Sequence, residues 1–316
     1  MDAMNPQDAS ARVMFGKPVA DLIEARLAAE VPSFVDRYKL VPTLAIVLVG
    51  NNPASERYVG RKIEACARLH MRAELKRFAP DISAESLKDE VSRLSRMPHV
   101  HAVLVQLPLP PAIEEHDSKA MNKFDIFDAI AAEKDVDGVG REAVASLYRA
   151  QQDRMLLMPC TALAVLRMMT HYGVRTEGRL AVVVGRNDIT SKPILHMLGG
   201  RMCNATAIWC HRFTRPEDQS RLIRAADILV TAVGSPEYRI TADRVKPGVA
   251  VFDVATRVDA GGKMHGDVDF EGLHRLASCI TPVPKGVGPV TVAALCENLF
   301  RAAKMAAGVG APGYTF

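Results

Sequence analysis

Hydrophobic and polar positions follow two regimes along this chain: short unbroken apolar runs, and longer stretches in which apolar residues recur every three or four positions. The first regime predicts buried strands at 43–49 and 180–184, the second a helix over 20–29 and another over about 55–69. A further helix starts at Ser83, where S-A-E-S-L-K-D-E-V-S-R-L has capping residues followed by helical spacing. The strand at 101–106 stops at Gln106, because the prolines of the following LPLPPA lack the N–H that a ladder requires. This alternation describes a parallel α/β sheet with crossover helices. Ligands bind beyond the carboxyl ends of such strands, so Gln106 and the loop at 50–55 belong to one rim.

The pattern then repeats. A helix over 162–171 leads to the strand 180–184, a turn over 185–193, a helix over 194–199 and a strand at 205–210. A helix at 217–225 and strands at 228–233 and 250–254 complete a doubly wound arrangement. The last periodic stretch, about 290–307, is an apolar helix long enough to cross back over the first domain. Internal repeats and low-complexity segments are absent.

Length and composition agree with two cores: 316 residues, 48% hydrophobic, at roughly 150 residues per domain. Lys+Arg 40 against Asp+Glu 36 leaves a net charge of +4, too mild to suggest a nucleic-acid surface. The apolar runs are strand length, well short of the roughly 18 residues of a membrane helix. Because the first twenty residues have no apolar stretch behind a basic flank, the mature chain is expected to start near Met1 and to be cytoplasmic. Six well-separated cysteines without a C-x-x-C pair read as reduced, buried thiols.

Three local patterns bear on chemistry. GRNDITSKP joins a buried strand to a helix, where backbone N–H groups and the helix dipole hold phosphate, but it lacks G-x-G-x-x-G and reads equally as a plain turn. Arg186 in that turn and His211-Arg212 after the next strand place cations where an NAD site has a carboxylate, which suits a 2′-phosphate and hence NADP. Tyr58 and Lys62 lie one turn apart near the start of the rim helix. Such a pair is ordinarily solvated surface. Across from Gln106, however, a partly desolvated lysine can exchange protons near neutrality. Asp135 and Asp137 in KDVDG lack the further oxygen ligands of a metal loop, so no metal is expected. A turn with one functional carboxylate fits better, since a lone Asp can pair with the N–H edge of a 2-amino-4-oxopyrimidine ring.

In order, VGNNPASERYVGRK, VLVQLPLP, KDVDG, PCTA, VVVGRNDITSKP, ADILVTAVGSP, VKPGVAVFDV, GDVDF and ITPVPKGVGPVTVAALCEN resemble the methylenetetrahydrofolate dehydrogenase/cyclohydrolase family, from about Gly16 to Ala303. The resemblance implies an N-terminal α/β folate-binding catalytic domain (1–158 plus 290–316) and a C-terminal Rossmann-like doubly wound parallel sheet that binds NADP (159–289). It also implies a homodimer and a folate cleft between the lobes. The implied reactions are oxidation of 5,10-methylenetetrahydrofolate to 5,10-methenyltetrahydrofolate with NADP, and hydrolysis of that product to 10-formyltetrahydrofolate.

By motif match, Lys62 is the catalytic lysine and Gln106 the glutamine that tunes it. Tyr58 stacks on the folate, Asp137 anchors the pterin, and Pro284 and Gly288 complete the substrate site. Cofactor positions are Gly185, Arg186, Asn187, Ser191, His211, Arg212, Ala232, Val233 and Thr256. Several positions depart from the family's usual pattern: Glu64 replaces a lysine, Asn187 a serine, Ser191 a glycine, and Ala255-Thr256-Arg257 a G-I-N. Lys285 replaces a glycine, Ala162 a proline and Ala143 an asparagine. They concentrate around the cleft and leave two further readings open: a divergent paralogue acting only as a cyclohydrolase, and a folate-binding pseudoenzyme with impaired dinucleotide use. If Lys285 and Arg257 face the nicotinamide end of the cleft, their charges oppose the cationic products and slow hydride transfer.

Overall fold

The computed structural model describes residues 10–114, 121–149, 157–259, 261–310 and 313–314. In chain order the elements begin with β1 (Arg12–Val13), α1 (Gly16–Tyr38), β2 (Thr43–Val49), α2 (Pro53–Arg68), β3 (Arg72–Phe78), α3 (Ala84–Arg96) and β4 (Ala102–Val105). Next come α4 (Pro111–Glu114), α5 (Lys123–Phe127), α6 (Arg141–Arg149), α7 (Cys160–Tyr172), β5 (Leu180–Val184), α8 (Ser191–Gly199), β6 (Thr206–Cys210) and α9 (Pro216–Ala225). The chain continues with β7 (Ile228–Thr231), β8 (Ala250–Asp253), β9 (Arg257–Val258), β10 (Met264–His265), α10 (Phe270–His274), β11 (Cys279–Ile280) and α11 (Val287–Ala306). Among the described residues no helix is long and apolar enough to cross a membrane.

The chain divides into two compact α/β units. Among the described residues, one comprises those within 20–160 and 292–314; the other comprises those within 10–19 and 161–291. In the first, a parallel three-stranded sheet runs β3-β2-β4. All seven residues of β2 are buried, as a central parallel strand covered on both faces requires. Asn52 starts α2 by accepting hydrogen bonds from Ala54 N (2.9 Å) and Ser55 N (3.3 Å), with Pro53 at the first helical position. Ser83 caps α3 in the same way, and the helix buries Leu87, Val91 and Leu94 along one stripe. Each of these side chains contributes about 1.5–3 kcal/mol of apolar burial. Helix α11 supplies Leu295, Leu299 and Phe300 to this core, and Phe300 meets Phe34 of α1 edge to face at 5.2 Å. Arg26 and Glu297 pair at 2.6 Å across the same two helices.

The second unit is a six-stranded sheet in the order β1-β11-β8-β7-β5-β6, parallel throughout. Its hydrophobic cluster includes Val182, Val184, Leu229, Val251 and Ile280. The order reverses at β5, so the carboxyl ends of β5 and β7 open onto the switch point where doubly wound sheets take their ligands.

Several expectations need correction. Residues 10–19 do not belong with the N-terminal domain, because β1 pairs in register with β11. A two-residue strand is too short to leave a period in the sequence. Helix α1 runs through Pro32 to Tyr38, well past the predicted end at 29. Strand β3 went unpredicted because R-A-E-L-K-R-F is an edge strand whose positions are mostly half-buried, so its polar residues hide the pattern. Helix α8 begins at Ser191 and α11 at Val287, each three residues earlier than the apolar period indicates.

One histidine records the cost of burying β4's start. His101 is 4% exposed, and its ring Nδ1 accepts a hydrogen bond from Thr43 N at 3.1 Å. Burial, with Lys134 and His99 adding repulsion, pushes its pKa from 6.5 down to about 4. The folded state therefore binds fewer protons than the unfolded chain between these values, and stability falls as pH drops from about 6.5 to about 4. Urea midpoints measured across that window will decline less steeply in His101→Gln than in the parent. Identical slopes would exclude His101 as a source of the decline.

Candidate active site

In the first unit the site is built where α2 starts and β4 ends. Lys62, half-buried on α2, donates from Nζ to Gln106 Oε1 at 3.0 Å. Gln106 is buried just beyond β4, and its Nε2 donates to Leu107 O at 2.7 Å. That second bond leaves only one workable amide orientation, with Oε1 facing the lysine. Ser55 Oγ donates to the same Leu107 carbonyl at 3.3 Å, tying the first turn of α2 to the strand end. Tyr58 sits half-buried one turn before Lys62, with the Arg61 guanidinium 5.9 Å from its ring centroid. Glu64 is exposed.

Asp137 is half-buried in a turn anchored by its neighbour Asp135, which bridges to Val103 of β4 and accepts from Gly140 N at 2.7 Å. Burial pushes the Asp135 carboxyl up to about 6 despite its backbone hydrogen bonds. Lys62 and Asp137 act on one sulfur. Burial raises the Cys160 thiol, the adjacent Asp137 carboxylate raises it further, and the Lys62 ammonium opposes them. Lys62, bonded to Gln106 across 44 residues of sequence, and Asp137 thus both lie within electrostatic reach of one sulfur. Sequence reading treated Cys160 only as one of six buried thiols. All six are indeed free and buried, but Cys160 also lies within the site.

The second unit carries the remaining assigned residues, including Pro284, Gly288 and every cofactor position. After β5 the chain turns at Gly185 with φ +140°, where a Cβ would fall 2.5 Å from Ala232 O and 2.6 Å from Ser191 Oγ. Only glycine fits there. Asn187 Oδ1 accepts from Ile189 N (2.8 Å) and Thr190 N (3.0 Å), so this replacement closes its own turn. Ser191, the first residue of α8, is fully buried, and its Oγ has no hydrogen-bond partner among the described residues.

Arg186 and Arg212, both exposed, flank the ring of Phe213 with guanidinium carbons 5.5 and 4.7 Å from its centroid. Phe213 is itself 65% exposed. His211 Nδ1 accepts from Phe213 N at 3.2 Å, completing a cationic and aromatic edge after β6.

Beyond β7, Ala232 N donates to Val184 O at 2.8 Å, while Val233 N and Gly234 N donate to Asp267 at 2.7 and 3.0 Å. Asp253 in turn accepts from Thr231 Oγ1, Ala255 N, Asp267 N and Val268 N. Burial pushes Asp253 up to about 7, with the Asp267 carboxylate adding to the rise. Burial also raises Asp267, and nearby Arg257 counters it. Arg257 is therefore half-buried against an internal carboxylate, which sequence reading did not anticipate. Thr256 is exposed beside it. Pro284 follows a cis peptide bond, and Gly288 faces open space.

A rim with a lysine–glutamine pair in one α/β unit, and in the other a doubly wound sheet with a glycine turn and a basic edge, define a two-domain dinucleotide-dependent enzyme. Family models match both parts: tetrahydrofolate dehydrogenase/cyclohydrolase, catalytic domain, over residues 14–137, and the NAD(P)-binding domain over residues 159–307. The chain belongs to the tetrahydrofolate dehydrogenase/cyclohydrolase family. It is 39% identical over 302 residues to the bifunctional protein FolD of Paraburkholderia xenovorans, covering 96% of this chain and 100% of that protein. Among solved structures it resembles the bifunctional FolD of Campylobacter jejuni, with a TM-score of 0.85 and 34% identity over 94% of this chain and 99% of that one. The Trypanosoma brucei enzyme, solved with NADP cofactor and an inhibitor, matches with a TM-score of 0.84 and 34% identity over 94% of this chain and 98% of that one.

Lys285 stands in the left-handed region at φ +84°, exposed, with its carbonyl accepting from Gly16 N at 2.8 Å. A side chain at that angle costs about 1 kcal/mol or more. Lys285→Gly is expected to raise stability by about 1 kcal/mol, read as a higher urea midpoint at unchanged slope. A midpoint equal to or below the parent's would show that the loop bears no such strain.

Proposed function

We infer that this chain oxidises 5,10-methylenetetrahydrofolate to 5,10-methenyltetrahydrofolate with NADP, and hydrolyses the product to 10-formyltetrahydrofolate. The observation that carries the reading is the Lys62–Gln106 hydrogen bond at the carboxyl end of β4, with Asp137 facing the same buried sulfur. Tyr58 offers a ring for stacking on the folate. Asp137 offers two acceptor oxygens to the N–H edge of the pterin. In the hydrolytic half, Lys62 Nζ in its neutral amine form takes up the proton released as water adds to the cationic methenyl carbon, and returns it to the departing ring nitrogen. Gln106 restricts that amine to one direction, so the proton moves along a fixed line.

The second unit fits the dinucleotide on its own geometry. Gly185 leaves the space a Cβ would occupy, the positive end of the α8 dipole behind that turn suits a pyrophosphate, and Arg186 with Arg212 suits a ribose 2′-phosphate. NADP supplies the hydride acceptor for the one-carbon bridge. The loop of Ala232 and Val233, held by Asp267, and Thr256 with Pro284 and Gly288 supply its further contacts and those of the substrate. A homodimer is supported by β3, which pairs with β2 on one side and ends the sheet on the other. Six free, buried thiols suit a reducing compartment such as the cytoplasm.

The test follows absorbance at the nicotinamide and methenyl bands with methylenetetrahydrofolate and NADP supplied; no change at either band would overturn the assignment. Lys62→Met is expected to abolish hydrolysis of methenyltetrahydrofolate while the protein stays folded, since methionine keeps the apolar stem and loses the proton carrier. Hydrolysis at the parent rate would remove Lys62 from the chemistry. Asp137→Ala is expected to weaken folate binding by about 1.5–3 kcal/mol and to leave NADP binding unchanged. Equal weakening of both ligands would mean that the substitution only disturbs a turn.

A further inference from the structure

Tyr314, in the segment after α11, returns into the interior of the unit formed by residues 20–160 and those from 292 on, where it is only 7% exposed. Its hydroxyl accepts from Met158 N at 2.9 Å and donates to Asn298 Oδ1 at 2.7 Å. Burial raises the phenol's pKa, so it stays protonated and able to donate. The ring packs under Arg301, whose guanidinium carbon lies 3.9 Å from the centroid.

That donation decides which way the Asn298 amide points. With Oδ1 turned to the phenol, Nδ2 donates to Val136 O at 2.9 Å and Met158 O at 2.8 Å, and approaches Cys160 Sγ at 3.5 Å. Cys160 Sγ donates to the same Val136 carbonyl at 3.2 Å. Without the phenol, the buried Oδ1 would lose its donor, and the reversed amide would press an oxygen against two carbonyls. The Val136 carbonyl belongs to the peptide bond that leads into Asp137, so its direction sets where the Asp137 backbone starts.

We propose that Tyr314 is a positioning residue for Asp137, acting through Asn298 and the Val136 carbonyl. The inference rests on the reading of Asp137 as the folate anchor. Its physical content is that a catalytic turn early in the chain is held in register by a side chain near position 314. Misplacement by about 1 Å is enough to weaken a bond on which binding depends.

The test is Tyr314→Phe, which keeps the ring over Arg301 and removes only the hydroxyl. The expected result is a rise of about tenfold in KM for methenyltetrahydrofolate, with kcat within about twofold of the parent and KM for NADP unchanged. Peptides covering residues 136–138 are expected to exchange amide hydrogen faster, while the melting temperature falls by no more than several degrees, as two buried groups lose one partner. In the double variant Asp137→Ala/Tyr314→Phe the folate loss should equal that of Asp137→Ala alone. A parent-like KM, additive losses, or equal weakening of NADP would each overturn the proposal, as would unchanged exchange at 136–138. If the parent protein turns over no folate, the functional reading fails by itself, and the exchange measurement still decides whether Tyr314 orders the turn.

Discussion

The hydrogen bond from Lys62 Nζ to Gln106 Oε1 exists only because two unrelated pieces of chain end at the same height. Strand β4 pairs with β2 from Ala102 to Val105, which sets the level at which Gln106 leaves the sheet. Asn52 stops the chain after β2 and begins α2 at once, which sets the level of Lys62 above its first turns. A one-residue slip in the β2–β4 register would turn Gln106 to the opposite face and leave the lysine without its acceptor. The seven buried residues of β2 make such a slip costly, so the chemistry rests on the hydrophobic effect acting on a strand with no functional side chain of its own.

The second unit solves its positioning problem with carboxylates rather than packing. Asp253 and Asp267 are taken out of water and repay the cost by collecting backbone N–H groups from three loops. The loops at the carboxyl ends of β7 and β8 are thereby fixed to each other, which is what a preformed dinucleotide site needs. Arg257 is placed against this pair, so a residue that looks like a surface cation in sequence contributes to the internal charge balance.

How much of this was readable in advance depended on the distance over which each feature is encoded. The strands β2, β4, β5 and β8 are continuous apolar runs because both their faces are covered, and continuous runs stand out in one dimension. The pairs β1 and β11 are two residues long, and β3 is an edge strand, so each is specified by its partner rather than by its own composition. Lys62 with Tyr58 was legible from helical spacing, and the resemblance added Asp137. Cys160, Asn298 and Tyr314 were not legible, since nothing local to any of them indicates that they meet around one carbonyl. Lys285 was noticed as a charge, yet its structural distinction is a backbone angle.

Neither unit is continuous along the chain. The core around α1 and β2 lacks Leu295, Leu299 and Phe300 until α11 has been made, and the six-stranded sheet holds β1 from the very beginning. During synthesis the N-terminal unit therefore cannot close its core while the ribosome is still translating the middle of the chain. Its apolar helix faces wait through the whole of the doubly wound segment, until α11 is made. The arrangement makes the incomplete N-terminal core the stretch most dependent on protection in that interval.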